Sequence, residues 1–209
     1  MHAAVSDPPV QLVNETPVAR LVLSCPPKNE MDGAFFAAFR RMCAGPLCGL
    51  HGGALVVHGA GRHFSSGANI GDLVQRMAGG SASDDMEQNL RAFSDIAALP
   101  MPTVAAVSGC CLGAGLELAL ACRHRIAASN AVFSAPEISY GLIPGCGGTV
   151  RLPRLVGVPV AVEMILTGRL VDAEEALRTG LVDRVVDRRE LLGAACEMAL
   201  DLSKRRPTA

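Results

Sequence analysis

The chain has 209 residues, 50% of them hydrophobic and 19% charged, with a formal net charge of -1. That length supports one substantial core and does not demand two domains. The balanced charge excludes the basic field that nucleic acid or an acidic membrane surface requires, leaving only the local triplet Lys204, Arg205 and Arg206, which reads as a solvated helix end.

In chain order, apolar runs and their periodicity predict strands near residues 18–24, 54–60, 103–109, 125–129 and 181–186. Helical segments are expected over about 32–45, 86–98, 113–122, 158–166, 172–179 and 188–204. Between them, residues 74–88 (VQRMAGGSASDDMEQ) read as a polar, mobile loop. Alternation of strand and helix points to an α/β layered fold. Eight cysteines occur without a CxxC, several inside apolar runs, and read as reduced core residues of a cytoplasmic protein. The N-terminal MHAAVSDPPVQL has no apolar core behind a basic start, so export is not expected.

Residues 104–122, VAAVSGCCLGAGLELALAC, are apolar enough to invite comparison with a membrane span. Glu117 inside the run, together with Ser108 and the glycines at 109, 113 and 115, argues instead for a strand that hands over to a helix. A helix starting near Gly113 leaves its first backbone N–H groups without intrahelical partners, and that end favours negative charge. Glu117 follows Ala114 by three residues and shares its helix face. By itself it reads first as a first-turn acid that complements the helix dipole.

A second carboxylate, Glu137, lies in FSAPEISYGLIPGCGGT (133–149), a proline- and glycine-rich loop with apolar neighbours that suggest a fold over a pocket. A helix-capping or salt-bridged acid is its ordinary alternative. The third segment, GAGRHFSSGANIGDL (59–73), follows a strand, and its glycines permit close backbone approach, so the N–H of Ala68 after Gly67 is a candidate donor to a ligand. A plain connecting loop is the alternative.

Competing chemistries lack their residues. GAGRHF does not complete GxGxxG and no GxxxxGK[ST] occurs, which excludes a dinucleotide or NTP loop. Ser108 has no glycine two positions before it, so there is no GxSxG elbow. Histidines 2, 51, 58, 63 and 124 show no HExxH and no paired spacing with cysteine; no metal site is expected.

Taken together, HFSSGANI, VAAVSGCCLGAGLELALAC, FSAPEISYGLIPGCGGTVRLPRLVG and LTGRLVDAEEALRTGLVDRVV resemble the enoyl-CoA hydratase/isomerase, or crotonase, superfamily, in order from about residue 10 to 200. The resemblance implies a crotonase-like spiral of ββα units, with two roughly perpendicular sheets flanked by helices. It implies one domain over 1–209, lacking most of the C-terminal helical extension usual in the family. By the same likeness Glu117 and Glu137 are the catalytic acids of a hydratase, at the family's twenty-residue separation, and the Ala68 and Ala114 N–H groups form the oxyanion hole. Isomerases of the family generally keep only the acid that corresponds to Glu137, so the pair favours a hydratase.

The likeness places the CoA adenine beside the backbone of Ser65, Ser66 and Ile70, counts Gly67 and Gly113 among the substrate- and CoA-binding residues, has Gly145 help to position water or the acyl group, and brings Lys28 to a CoA phosphate. Asn69 stands where the family usually has aspartate. The substrate implied is an acyl-CoA thioester, with coenzyme A as part of the substrate and no separate cofactor. A homotrimer or dimer of trimers is the implied assembly, with no nucleic acid or membrane partner. Double-bond isomerisation, acyl-CoA hydrolysis and a weakly catalytic acyl-CoA-binding subunit are the alternatives.

Overall fold

A computed structural model of the chain describes residues 8–50, 53–78 and 82–205. The chain opens with β1 (Val10–Val13) and β2 (Val18–Leu23), an antiparallel hairpin that pairs Val10 with Leu23. β3 (Glu30–Met31) runs into α1 (Gly33–Met42), which Asp32 caps by accepting from the Phe35 N–H at 2.8 Å. Such a cap is worth about 1 kcal/mol. A π-helical turn, Cys43–Leu47, ends the helix at Pro46, and β4 (Ala54–Gly59) follows.

β5 (Gly67–Ala68), α2 (Ile70–Ala78), α3 (Ala82–Ala98), β6 (Thr103–Val107), β7 (Cys110–Leu112) and α4 (Ala114–Ala121) form the middle of the chain. β8 (His124–Ala128), β9 (Val132–Ser134) and a 3-10 turn at Pro136–Tyr140 lead to α5 (Gly148–Val156) and α6 (Val158–Thr167). β10 (Val171–Asp172), α7 (Ala173–Arg178), β11 (Arg184–Val186) and α8 (Leu191–Lys204) complete it.

Six strands form one sheet in the order β1-β2-β4-β6-β8-β11, parallel except at the β1 edge. A parallel sheet is covered on both faces, which is why β6 (TVAAV) is buried throughout and apolar after Thr103. Alternate side chains divide between two cores. Leu55 and Val57 join Leu21, Phe39 and Phe93 beneath α1, α3 and α4, whereas Ala54 and Val56 meet Ala194, Ala195 and Ala199 of α8. A second sheet, β10-β9-β7, and the pair β3-β5 stand apart, joined by a bridge between Ser65 and Cys111. These sheets, parallel except at the β1-β2 and β10-β9 pairs and flanked by helices, are the α/β layering that the sequence implies. All eight cysteines are free, and no helix among the described residues is long and apolar enough to cross a membrane.

Residues 74–78 and 82–85, expected as loop, are helical, in α2 and at the start of α3, and 86–88, which fall in both the expected loop and the expected helix 86–98, are helical too. Asn69 accepts from the Asp72 N–H at 2.8 Å and so caps α2. Ala92, Phe93 and Ile96 bury one face of α3, while Asp84, Glu87, Gln88, Arg91 and Asp95 are exposed and hide the periodicity in the sequence. The strand expected over 181–186 shrinks to β11. Leu181 gives its carbonyl to Arg125 Nε at 2.8 Å, and the Asp183 carboxylate accepts from the Arg125 N–H at 2.7 Å, so these residues serve the buried Arg125 instead of a ladder. Of the basic tail, Arg206 lies outside the described residues, as do His2 and His51.

Candidate active site

A cavity of about 330 Å³ opens between β3-β5, α1 to α4 and the 3-10 turn. Glu117, Glu137, Ala68 and Ala114 all line it, as do Lys28, Ser66, Gly67, Ile70, Gly113 and Gly145. Ser65 does not. Its side chain is fully buried behind the wall, donates to the Asn29 carbonyl at 2.7 Å and accepts from the Gly67 N–H at 3.0 Å. Sequence reading therefore converges on one site with a single exception: Ser65 shapes the loop from behind.

The amide donors follow from strand and helix geometry. β5 pairs with β3, and Asn69 N–H donates to the Met31 carbonyl at 2.9 Å. Successive N–H groups of an extended strand point to opposite sides, so the Ala68 N–H faces away from β3. Ala114 is the first residue of α4, whose first intrahelical bond is Glu117 N–H to Gly113 O at 2.9 Å, so its own N–H has no partner within the helix. Gly113 itself has φ 51°, and a Cβ there would lie 3.3 Å from Glu137 Oε1. Glycine admits both the left-handed backbone and the close approach of the acid.

Glu117 is 4% exposed. Its Oε1 accepts from the N–H groups of Cys146 at 2.7 Å and Gly148 at 2.8 Å. The second of these belongs to the first residue of α5, so an otherwise orphaned helix donor holds the acid. Burial is the largest influence on Glu117 and pushes its pKa up to about 7; the Gly148 N–H opposes it and the Glu137 carboxylate adds to it. Glu137 is also raised, by burial above all. Its Oε2 is buried with no hydrogen-bond partner among the described residues. A buried polar atom left in this way is where a guest group is expected to bond.

The two amides that hold Glu117 were not foreseen. Their signal was the glycine run PGCGGT before α5, masked by Pro153 within that helix. No group of three or more His, Cys, Asp or Glu side chains is gathered as a metal ion would need, among the described residues. Chemically, the cavity presents two outward backbone donors facing two desolvated acids. That set can polarise a carbonyl and move protons at neighbouring atoms.

Comparison with known proteins gives a consistent answer. The family model described as enoyl-CoA hydratase/isomerase matches residues 50–209. The structure of Pseudomonas aeruginosa DspI is similar at 34% identity, over 99% of this chain and 84% of that one, with a TM-score of 0.87. An enoyl-CoA hydratase from Bacillus anthracis is similar at 32% identity over 95% of this chain and 78% of that one, with a TM-score of 0.85.

Proposed function

Because the chain belongs to the enoyl-CoA hydratase/isomerase family, we propose that it is an enoyl-CoA hydratase, adding water reversibly to a trans-2-enoyl-CoA thioester to give a 3-hydroxyacyl-CoA. The observation that carries this reading is that both acids, Glu117 and Glu137, share one cavity with the Ala68 and Ala114 amides. An isomerisation needs one of those acids; addition of water across a double bond uses two.

In the proposed reaction the thioester oxygen lies between the Ala68 and Ala114 N–H groups, with the N-terminus of α4 behind it. Each such donor is worth about 3 to 4 kcal/mol as negative charge develops on that oxygen. Glu117, ionised, holds a water molecule and takes its proton as the oxygen bonds to C3. The π electrons pass to the thioester as an enolate, which recovers its carbonyl as Glu137 delivers a proton to C2. Dehydration exchanges the roles. The upward shifts of both acids keep a proton available within the pair near neutral pH, and its titration belongs to the pair. No cofactor is required, because coenzyme A is part of the substrate.

Ser66, Gly67 and Ile70 offer a wall along the CoA path, with Lys28 at its edge for a phosphate and Gly145 beside the reacting carbons. A homotrimer or dimer of trimers is the proposed assembly. The apolar side chains of Val158, Val162 and Leu166, 63%, 47% and 61% exposed along one face of α6, support it. The eight free thiols suit a reducing, cytoplasmic compartment.

Purified protein is expected to remove the absorbance of the conjugated enoyl thioester and yield the 3-hydroxyacyl product. A protein that binds the thioester but leaves that absorbance unchanged would be an acyl-CoA-binding subunit, and the enzymatic reading would fall. A milder test is Gly148→Ala. Its Cβ would stand 3.1 Å from Glu117 Oε1 and 2.8 Å from Pro144 Cβ, displacing the acid by a few tenths of an ångström. Hydration should slow about tenfold, short of the roughly hundredfold cost of a 1 Å misplacement, with thioester affinity little changed.

A further inference from the structure

The far end of the cavity is not lined as a plain hydrocarbon pocket would be. Gly33, Phe36 and Arg40 of α1 all face it. They stand at i, i+3 and i+7, one stripe of the helix, and seven residues of α-helix advance about 10 Å. Gly33 lies next to β3, whose Met31 is in register with Ala68. The stripe therefore starts beside the thioester-oxygen site and ends at Arg40.

α3 closes the same end with Asp85, Met86 and Asn89. Met86 is seated over the turn before α5: a Cβ on Gly145 would lie 2.5 Å from its Sδ. Arg40 Nη1 donates to Asn89 Oδ1 at 2.6 Å and stands 3.7 Å from Asp85 Oδ1. These contacts fix the guanidinium without exhausting it, since it carries five N–H donors. Among the described residues, Arg40 Nε and Nη2 and the side-chain NH₂ of Asn89 make no hydrogen bond to protein, and both residues line the cavity. The end wall thus offers donors in a planar fork, the shape that a carboxylate matches with two parallel bonds. A methyl end placed there would dehydrate those donors and return nothing.

We propose that the Arg40–Asn89 wall selects an enoyl thioester whose acyl chain ends in a carboxylate, so that the substrate is the CoA monothioester of an unsaturated dicarboxylic acid. The inference rests on the reading above for the direction of the acyl chain. Asp85 offsets part of the Arg40 charge and holds its rotamer; the incoming carboxylate takes the free edge of the fork.

Saturated thioesters test this without turnover. Calorimetric titration of the wild-type protein with adipyl-CoA and hexanoyl-CoA, equal in chain length, should show at least tenfold tighter binding of adipyl-CoA. Arg40→Met should reverse the preference, weakening adipyl-CoA at least tenfold and strengthening hexanoyl-CoA. Arg40→Lys should keep part of it, because the charge remains and the fork does not. Asn89→Leu, which leaves the guanidinium in place, should lower the ratio about threefold, and it preserves the test if Arg40→Met unfolds the α1–α3 contact.

Equal or tighter binding of hexanoyl-CoA by the wild-type protein overturns the proposal, as does a ratio that Arg40→Met and Asn89→Leu both leave intact; in that case Arg40 only ties α1 to α3. Hydration of trans-2,3-dehydroadipyl-CoA, the unsaturated counterpart of adipyl-CoA, is followed separately. If it is absent while the adipyl preference holds, the hydratase reading fails and the pocket assignment stands. If neither saturated thioester binds, both fall together.

Discussion

Glutamine in place of either Glu117 or Glu137 is expected to slow hydration of an enoyl thioester by roughly 10²- to 10⁴-fold, the range that a positioned general acid or base supplies. The substitution is conservative where it matters. The Glu117→Gln side chain retains an oxygen able to accept from the Cys146 and Gly148 N–H groups that now hold Glu117 at 2.7 and 2.8 Å, so the loop before α5 stays in place. What disappears is the capacity to take a proton from water. At position 137 the loss is that of a proton donor beside C2. Thioester affinity should persist in both variants, because the Ala68 and Ala114 amides belong to the backbone and are untouched. Steady-state rates with calorimetric affinities check both halves. Two wild-type rates would end the two-acid mechanism. A silent Glu117→Gln beside a dead Glu137→Gln would indicate isomerisation, in which a single acid carries the proton.

Residues whose role is set by a few neighbours were legible in the sequence. Gly113, Ala114 and Glu117 fall within five positions, and glycine before an apolar helix announces a turn that exposes N–H groups. Ala68 was legible for a similar reason, beside Gly67 after a strand. Long-range partners were hidden. The amides of Cys146 and Gly148 reach Glu117 from about thirty positions away, separated by 29 and 31 residues, and no local pattern records such a meeting. Pro153 disguised α5 in the same stretch, since a proline in a helical pattern usually marks its end.

Arg40 was invisible for another reason. It lies on an amphipathic helix where a basic residue near the C-terminus normally faces water and complements the dipole. Its contact with Asn89 of α3 spans 49 residues, and that part of α3 itself adjoins a segment that reads as loop. Asn89 falls inside a helix that the periodicity predicts, but nothing local shows which face of α1 that helix meets. Ser65, expected beside the CoA adenine through its backbone, sits behind the cavity wall, where its N–H donates to the Cys110 carbonyl and its hydroxyl bonds to Asn29 and Gly67, supporting the loop that carries the donor.

The second large effect concerns stability. Glu117 is 4% exposed, and burial pushes its pKa from 4.5 up to about 7. A carboxyl raised in the folded state is held there in its neutral form. Below pH 4.5 both folded and unfolded chains carry the proton and the acid costs nothing. As pH rises toward 7 the unfolded chain releases its proton first, so folding becomes progressively less favourable; above that the loss is complete and constant. At about 1.4 kcal/mol per unit, the interval amounts to about 3 kcal/mol.

Glu117→Gln cannot ionise, so the variant should lack this decline. Relative to the wild-type protein it should gain about 3 kcal/mol between pH 4.5 and pH 8, or roughly 6–12 °C in Tm for a chain of this size. Thermal melts of the two proteins across that range measure it; groups remote from Glu117 cancel in the difference, while Glu137, coupled to it, contributes as part of the pair. Parallel Tm curves would mean that Glu117 ionises in the folded protein as readily as in water. It would then lack the desolvation that keeps a proton within the pair, and the assignment of one base and one acid at neutral pH would lose its physical ground. A variant that is more stable and yet inactive is the expected signature of a charge buried for chemistry.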